Sequence, residues 1–208
     1  MIRVLIADDH QLVRDGLKGI LGAASGIVVA AEAASGDEAL AQVRAHEFDV
    51  ALVDLSMPGL SGIDLIKRLK LERPKLRILV LSMHGEQQYA TRALKAGASG
   101  YLTKDAASEQ LVTALRKVAA GGVAISEATA ANLLVSARGG DAPPHTLLSD
   151  REFEVFRLLA AGRTPTEIAE QLRLSVKTVS THKARVQQKL NVSSTAELVR
   201  YALEHELL

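Results

Sequence analysis

Carboxylates follow two short apolar runs in the first part of the chain. Asp8 and Asp9 come directly after RVLIA, and Asp54 ends the run DVALVD, just before the letters LSMPG, which hold a turn signal. A carboxylate without a partner at the mouth of a buried strand costs roughly several kcal/mol. A cation, a shell of hydrogen-bond donors or a chemical task is therefore expected at this position.

The first 120 residues or so alternate between strand-like and helix-like hydrophobic periods. The five successive pairs are RVLIA with QLVRDGLKGIL, IVVAA with DEALAQVRA, DVALVD with IDLIKRLKL, RILVLS with EQQYATRALKA, and GYLT with SEQLVTALRKV. Because the strands are mostly apolar throughout, they are typical of strands buried on both faces. The pattern predicts an α/β fold in which a five-stranded parallel sheet with right-handed crossovers is covered by helices on both sides.

Such a sheet would bring the three carboxylates into one pocket. In open parallel sheets, ligands bind beyond the carboxyl ends of the strands, where the strand order reverses. In the order 2-1-3-4-5 the first and third strands are neighbours at that reversal, so Asp8, Asp9 and Asp54 would meet there. Like charges repel at this spacing, and a hard divalent cation relieves the repulsion; Mg²⁺ fits best. The backbone carbonyl of Ser56 could supply another oxygen ligand.

Two further strand ends would add a hydroxyl and an ammonium to the same edge. The fourth strand ends at Ser82, and the fifth runs through Tyr101 to Lys104, whose ammonium can contact a phosphate. Carboxylates, a metal ion, a hydroxyl and a lysine together suit phosphoryl transfer, which depends on positioning and charge neutralisation. Asp54 would then be the nucleophile that forms an aspartyl phosphate.

The alternation ends after Val118. The letters AAGGVAIS break the pattern, residues 126–138 could form a modest helix, and RGGDAPPHT has the composition of a linker. We therefore expect a first domain at 1–120, a linker with a helix at 121–146, and a second domain at 147–208.

The second domain shows helix starts and no strand pattern. Ser175 is one predicted start, and three Ser/Thr–Glu pairs have the spacing of a capping box, in which hydroxyl and carboxylate satisfy opposite backbone amides. These pairs are Ser149 with Glu152, Thr164 with Glu167 around Pro165, and Ser194 with Glu197. Four short helices in about 60 residues predict a small all-α domain.

The run TPTEIAEQLRLSVKTVSTHKARVQQKLNV predicts a helix-turn-helix pair. Apolar residues of the two helices can face each other and close a small core: Ile168, Ala169 and Leu172 against Val176, Val179 and Val186. From Ser175 to Asn191 there are four basic residues and no acid, whereas Ser149 to Leu208 holds nine basic and eight acidic residues. A basic helix in a near-neutral domain indicates a directed contact with an anion.

The composition limits the class of protein. The chain has 208 residues, of which 48% are hydrophobic and 24% charged, and a formal net charge of +1. Its apolar runs stop well short of the roughly 18 residues that a membrane span needs, and MIRVLIADD lacks the order of a signal peptide. Without cysteine there is no disulfide or thiolate metal site. We expect a cytoplasmic protein without membrane contact.

The motifs IADDH, LVDLSMPGLSG, LVLSMH and GYLTKD resemble the signature positions of a response-regulator receiver domain, in the same order across the first 120 residues or so. The resemblance implies a flavodoxin-like fold and phosphorylation of Asp54 by a histidine kinase. It also implies roles for the surrounding residues: Asp8 and Asp9 in binding Mg²⁺, Lys104 and Ser82 in contacting the phosphoryl oxygens, Tyr101 as an aromatic that turns inward on activation, and Ser56 and His84 in tuning hydrolysis.

The stretch from LSDREFEVF to QQKLNVSS resembles a LuxR-type DNA-binding domain over its whole length. A receiver followed by this domain is the architecture of NarL/FixJ-type response regulators, which are bacterial transcription factors. The implied partners are double-stranded promoter DNA, a cognate histidine kinase, a second copy of the chain on activation and, as a further candidate, RNA polymerase. The implied DNA-binding residues are Lys177, Thr178, Ser180, Thr181, His182, Ala184, Arg185 and Lys189.

We interpret the chain as a regulator and not an enzyme, apart from Mg²⁺-dependent self-phosphorylation and dephosphorylation at Asp54. Phosphorylation would shift the chain toward a dimer on a two-fold DNA site. Two alternatives remain at this point. A phosphatase with an aspartate nucleophile would use the same carboxylate, but it normally has a second acid two residues later, where this chain has Ser56. The other alternative is a DNA-binding protein that ignores phosphorylation and uses its receiver only to dimerise.

Overall fold

The computed structural model describes residues 1–57, 60, 62–82, 87–106, 108–127, 129–131, 143–205 and 207–208. The chain divides into two compact units, Met1–Ala130 and Ala131–Leu208. Within the described residues, no helix is both long enough and apolar enough to span a membrane.

The first unit contains the five predicted strand–helix pairs. In chain order they are β1 Ile2–Ala7, α1 Gln11–Gly22, β2 Ile27–Ala33, α2 Gly36–Ala45, β3 Val50–Asp54, α3 Gly62–Glu72, β4 Arg77–Ser82, α4 Gln87–Lys95, β5 Gly100–Thr103 and α5 Ser108–Ala119. The strands form one sheet in the order β2-β1-β3-β4-β5, and every neighbouring pair is parallel. The predicted fold class and strand order are confirmed.

Burial on both faces explains why the strands lack a polar side. All five residues of β3 are buried, as are the last four of β1. One face of the sheet packs against α1 and α5 through residues such as Val4, Leu21 and Leu115. Leu5 and Val80, outside that cluster, are also fully buried. A parallel sheet that buries both faces needs this continuous apolar sequence.

The edge of β5 is covered by the chain that follows α5. Ala124 forms a parallel bridge with Gly100; the Tyr101 N–H donates to the Ala124 carbonyl at 2.8 Å, and the Ala124 N–H donates to the Ser99 carbonyl at 3.1 Å. A Cβ atom on Gly100 would lie only 2.8 Å from the Ala124 carbonyl oxygen, so this approach requires glycine. Residues 121–130, assigned above to the linker, therefore belong to the first compact unit.

Part of the helix predicted at 126–138 is described. Glu127 and residues 129–131 are helical, and residues 132–138 lie outside the described residues. The Ser126 hydroxyl accepts from the Thr129 N–H at 3.2 Å, as a residue before a helix does.

The second unit has four α-helices in its described part, as predicted. After a 3₁₀ helix at Pro144–Leu147, they are α6 Asp150–Ala160, α7 Pro165–Leu172, α8 Val176–Leu190 and α9 Thr195–Glu204. Two of the three predicted capping boxes are complete, at Ser149 and at Thr164. The third predicted capping box, at Ser194, forms only one of its two hydrogen bonds. The Ser194 hydroxyl accepts from the Glu197 N–H, but the Glu197 carboxylate accepts from the backbone and hydroxyl of Ser193 instead.

The core of the second unit combines α6 with the helix-turn-helix pair. Phe153 and Phe156 of α6 are fully buried, and so are Ile168, Val179 and Val186. Val176 was expected in this core, and that expectation is wrong, because its side chain is 44% exposed. Val176 is the first residue of α8 and lies about 60° around the axis from Val179, at the margin of the apolar face.

Candidate functional site

Adjacent strands bring the predicted carboxylates together. Ala7 of β1 pairs with Val53 of β3, so the residues that follow them reach the same edge of the sheet. One ligand atom from each of four side chains lies within 4.8 Å of the others, and these side chains are Asp8, Asp9, His10 and Asp54. The Asp8 and Asp54 side chains are buried. The predicted acidic pocket is therefore present in the structure.

His10 is an addition that the sequence reasoning did not include in the pocket. It is the N-cap residue of α1, without a side-chain capping bond. Its Nδ1 also lies 2.9 Å from Asp9 Oδ1 and 3.5 Å from Asp8 Oδ1. The available signal was its position directly after the acid pair.

Lys104 is the cation of the pocket. Its Nζ lies 2.7 Å from Asp8 Oδ2 and 2.9 Å from Asp54 Oδ2, and its side chain is 10% exposed. The Lys104 N–H donates to the Ser82 carbonyl at 2.7 Å, which fixes the end of β5 beside the end of β4. Burial disfavours the ammonium charge, but the hydrogen bond with Asp8 and the nearby Asp54 carboxylate outweigh it and raise the pKa of Lys104.

Asp54 combines burial with a cationic neighbour. Burial raises the pKa of Asp54 above its ordinary value, and the nearby Asp8 carboxylate adds to this, while Lys104 and the Ser56 N–H act in the opposite direction. That N–H donates to Asp54 Oδ1 at 3.2 Å. The Ser56 side chain itself is exposed. Because the net effect is a raised pKa, an additional positive charge nearby would stabilise the ionised form of Asp54.

The donor set fits a hard divalent cation. Among the described residues, Asp9 Oδ1 and Asp54 Oδ2 are buried oxygens that receive no hydrogen bond with acceptable geometry. Lys104 Nζ is close enough to Asp54 Oδ2 to form an ion pair, but no hydrogen bond forms between the two atoms. Buried carboxylate oxygens in need of positive charge are the ligands that Mg²⁺ prefers.

Ser82 and Tyr101 flank the pocket on β4 and β5. Ser82 is 2% exposed and Tyr101 is 7% exposed, so both residues are buried. Tyr101 also lines a cavity of about 590 Å³, together with residues such as Thr113 and Thr129. His84, which was predicted to flank the site, lies outside the described residues.

The basic helix of the second unit is α8. The Ser175 hydroxyl caps it by accepting from the Thr178 N–H at 3.0 Å. Most of the predicted DNA-binding side chains are exposed on the side of α8 away from Val179, and these are Lys177, Ser180, Thr181, Ala184 and Arg185. The Ser180 and Thr181 hydroxyls donate to carbonyls one turn back, each at 2.9 Å, so their lone pairs remain as acceptors.

Two predicted DNA-binding residues have other surroundings. Lys189 Nζ donates to Glu152 Oε2 at 2.6 Å and to the Leu147 carbonyl at 3.1 Å, so it connects α8 to the start of α6. His182 is half-buried, and this burial lowers its pKa; Glu152 acts in the opposite direction, and Arg185 adds to the lowering.

Comparisons with known proteins match each of the two parts of the chain to a family. Residues 4–116 match the family of the response regulator receiver domain, and residues 146–202 match the luxR family of bacterial regulatory proteins. Over its full length the chain is 41% identical to the oxygen regulatory protein NreC of Staphylococcus carnosus, of which it covers 99%. It is 36% identical, again over its full length, to the response regulator UvrY of Escherichia coli K12, of which it covers 96%.

Solved structures give the same result. An RcsB response regulator from Salmonella typhimurium, solved in work on its conformational dynamism for DNA interaction, is 32% identical, with a TM-score of 0.76 over 96% of each chain. RcsB from Salmonella enterica serovar Typhimurium, bound to the promoter P1flhDC in the presence of phosphomimetic BeF3-, is also 32% identical. Its TM-score is 0.72, over 96% of this chain and 97% of that chain.

Proposed function

The chain belongs to the response regulators, with a receiver domain followed by a LuxR-type DNA-binding domain, and from this premise we propose that phosphorylation of Asp54 controls its activity on promoter DNA. The observation that carries the proposal is the pocket around Asp54. Its buried carboxylate lies 2.9 Å from Lys104 and within reach of two further carboxylates at the carboxyl edge of the sheet.

The chemistry follows from the residues of this pocket. An Asp54 oxygen attacks the phosphorus atom of a phosphohistidine on a histidine kinase, the new O–P bond forms and the N–P bond to the donor breaks. Asp8, Asp9 and Asp54 would hold Mg²⁺ together with the Ser56 carbonyl, and the bound ion would neutralise charge on the transferred group. Lys104 already pairs with Asp54 and can transfer its contact to a phosphoryl oxygen.

The proposed response lies in Ser82 and Tyr101. The Ser82 hydroxyl would contact the phosphoryl group, and the inward position of Tyr101 would then be favoured. The new charge at Asp54 biases a two-state equilibrium of the receiver toward a dimer. One helix-turn-helix domain covers few base pairs, so a dimer on two half-sites is the arrangement that the size of the second domain favours.

The proposed DNA contacts lie on α8. Its exposed face would enter the major groove, with Ser180, Thr181 and Ala184 near base edges and Lys177 and Arg185 near phosphates. We assign the three remaining residues to support of this helix, because two are half-buried and one is paired with Glu152; they are Thr178, His182 and Lys189. The promoter-bound RcsB structures support the same use of the domain. The proposed setting is the cytoplasm, with RNA polymerase as a further candidate partner.

The test is to treat the full-length chain with a small acyl phosphate and Mg²⁺, and to measure its mass and its affinity for promoter DNA. We expect one phosphoryl group to be added and DNA binding to tighten. Asp54→Ala should abolish both effects, whereas Asp37→Ala, at an exposed aspartate of α2, should change neither.

Two outcomes would favour the alternatives. Continuous release of phosphate over many turnovers would indicate a phosphatase. A protein that is phosphorylated at Asp54 but binds DNA with unchanged affinity would indicate a receiver that serves only for dimerisation.

A further inference from the structure

Arg14 is a charged side chain at a core position of α1. The buried residues of this helix are Arg14, Leu17 and Leu21, which lie along one face, and the Arg14 side chain is only 10% exposed. A guanidinium is costly to bury unless hydrogen bonds and counter-charges compensate it. The hydrogen-bond partners of Arg14 therefore indicate why this core position holds a cation and not an apolar residue.

The guanidinium joins three elements around the acidic pocket. Nη1 donates to the main-chain carbonyl of Asp8 at 2.7 Å, and Nε donates to Glu32 Oε2 of β2 at 3.3 Å. Nη2 donates to the Gln11 side chain in the first turn of α1. None of these atoms belongs to the acidic cluster itself, so Arg14 acts on the backbone and not on a carboxylate of the pocket.

The carbonyl that Arg14 holds belongs to the peptide between Asp8 and Asp9. The same loop is fixed on its other side, because the Asp8 N–H donates to the Ala33 carbonyl at 3.1 Å and the His10 N–H donates to Asp8 Oδ1 at 2.8 Å. Rotation of this one peptide would move Asp9 relative to Asp8. Arg14 opposes that rotation by a charge-assisted hydrogen bond.

We propose that Arg14 is a positioning residue for the Mg²⁺ site, and that it acts by fixing the Asp8–Asp9 peptide so that both carboxylates point into the pocket. The inference rests on the proposed function, since it assigns a cause to the arrangement of the proposed ligands. Groups that orient metal ligands typically change metal affinity by about 10–100-fold when they are removed.

The test compares three variants of the full-length chain by calorimetric titration with Mg²⁺ and by the rate of phosphorylation at saturating Mg²⁺. Arg14→Met keeps an apolar stem and removes the guanidinium, and we expect its Mg²⁺ dissociation constant to rise about tenfold or more. Arg14→Lys can reach fewer of the three acceptors than the guanidinium does, and should recover part of the affinity. The matched control is Lys18→Met, because Lys18 lies 2.8 Å from the other oxygen of Glu32, away from the Asp8 carbonyl that Arg14 holds.

A purely structural role would lower the stability of the protein together with its Mg²⁺ affinity, whereas a positioning role separates the two. Arg14→Met leaves Glu32, whose side chain is 33% exposed, still paired with Lys18 at 2.8 Å. The variant should therefore unfold at a urea concentration similar to wild type while binding Mg²⁺ more weakly. In the metal-free protein, its Asp9 and His10 amides should exchange with solvent faster than in Lys18→Met. At saturating Mg²⁺ the phosphorylation rate should fall less than the affinity does.

The inference is overturned if Arg14→Met binds Mg²⁺ within about twofold of wild type, or if Lys18→Met loses as much affinity. If wild type itself binds no Mg²⁺ and gains no phosphoryl group, the proposed function fails first, and the two failures are therefore distinguishable.

Discussion

Lys104 is a single cation that two buried carboxylates share. Because it approaches both Asp8 and Asp54, its loss would leave two acidic groups in a poorly solvated place without compensation. Removing one partner of a buried ion pair typically costs about 3–5 kcal/mol.

Lys104→Met should therefore lower the unfolding free energy of the metal-free receiver by about 3 kcal/mol, measured by urea denaturation. Lys75→Met, at an exposed loop position, is the control and should change it by less than about 0.5 kcal/mol. A loss below about 1 kcal/mol in Lys104→Met would mean that the carboxylates are compensated in another way.

The pair of Glu152 and Lys189 makes a second residue-scale prediction. Burial alone would raise the pKa of Glu152, but Lys189 and Ser149 outweigh it and hold the pKa below the ordinary value of 4.5. A depressed carboxylate pKa stabilises the folded state above the unfolded pKa, and this contribution is lost as the pH falls through the folded pKa.

Wild type should therefore lose stability in the second domain more steeply below about pH 4.5 than Glu152→Gln does. Amide exchange in α6 and α8 across this pH range measures the loss. Parallel pH profiles in the two proteins would show that Lys189 does not stabilise the ionised form.

The residues of the pocket could be predicted because each ends a strand, and strand ends of a parallel sheet meet at one edge. His10 and Arg14 were not predicted in these roles, since both belong to the start of α1. Arg14 reaches back to a backbone atom of the preceding loop, and backbone acceptors leave no mark in a sequence pattern.

At the scale of the elements, the prediction was correct where an apolar period determines the structure and less so at the ends. The strands followed from continuous apolar runs, whereas their order was implied by the resemblance to receiver domains. The cap at Ser194 differs because Ser193 offers a second hydroxyl and amide to the same Glu197 carboxylate. Val176 is apolar and has helical spacing to Val179, but as the first residue of α8 it is exposed. Spacing alone does not distinguish between such near-equivalent arrangements.

Gly100 tests the contact between β5 and the chain after α5. Gly100→Ala would place a Cβ 2.8 Å from the Ala124 carbonyl oxygen and equally close to Leu79, so the segment must shift and weaken its two hydrogen bonds. We expect a loss of about 1–3 kcal/mol in the unfolding free energy. Gly16→Ala is the control, since a Cβ there meets no atom within 4 Å in the middle of α1 and should stabilise by up to about 1 kcal/mol. Equal effects of the two substitutions would contradict the close contact.

Two of the three lysines of α8, Lys177 and Lys189, have different expected roles. Lys177→Ala should reduce the slope of log affinity for DNA against log salt concentration by about 0.9, the value for one phosphate contact. Lys189→Ala should leave that slope unchanged and lower the stability of the second domain, because its ammonium is held by Glu152. A reduced slope in Lys189→Ala would assign it to the DNA surface after all. Fluorescence anisotropy with labelled promoter DNA at several salt concentrations gives both slopes.

At the scale of the whole molecule, the net charge of +1 leaves little long-range attraction to DNA. In the proposed function, the affinity for DNA comes from the local basic face of α8 and from the joining of two copies. The order of the two domains and the nature of each were readable from their motifs, but the face that dimerises was not, because many exposed surfaces share the same composition.

The affinity of the phosphorylated protein for DNA should therefore depend on whether its two half-sites lie on the same side of the duplex. Two half-sites about 10 base pairs apart should bind tightly, and an insertion of about 5 base pairs, which rotates one half-site to the opposite side of the duplex, should remove most of the gain. Unphosphorylated protein should respond little to the insertion in the same mobility-shift assay. Equal binding to both spacings after phosphorylation would argue against a dimer of fixed geometry.

The pairing of Ala124 with β5 also bears on how the protein tolerates high concentration. A free sheet edge offers unpaired N–H and C=O groups to other chains and promotes aggregation. Here the amide of Tyr101 and the carbonyl of Ser99 are taken up within the same chain. When many copies are close together, this edge of the receiver therefore has fewer free backbone groups for pairing with a neighbouring chain. The contact with Ala124 opposes the growth of an extended sheet between copies.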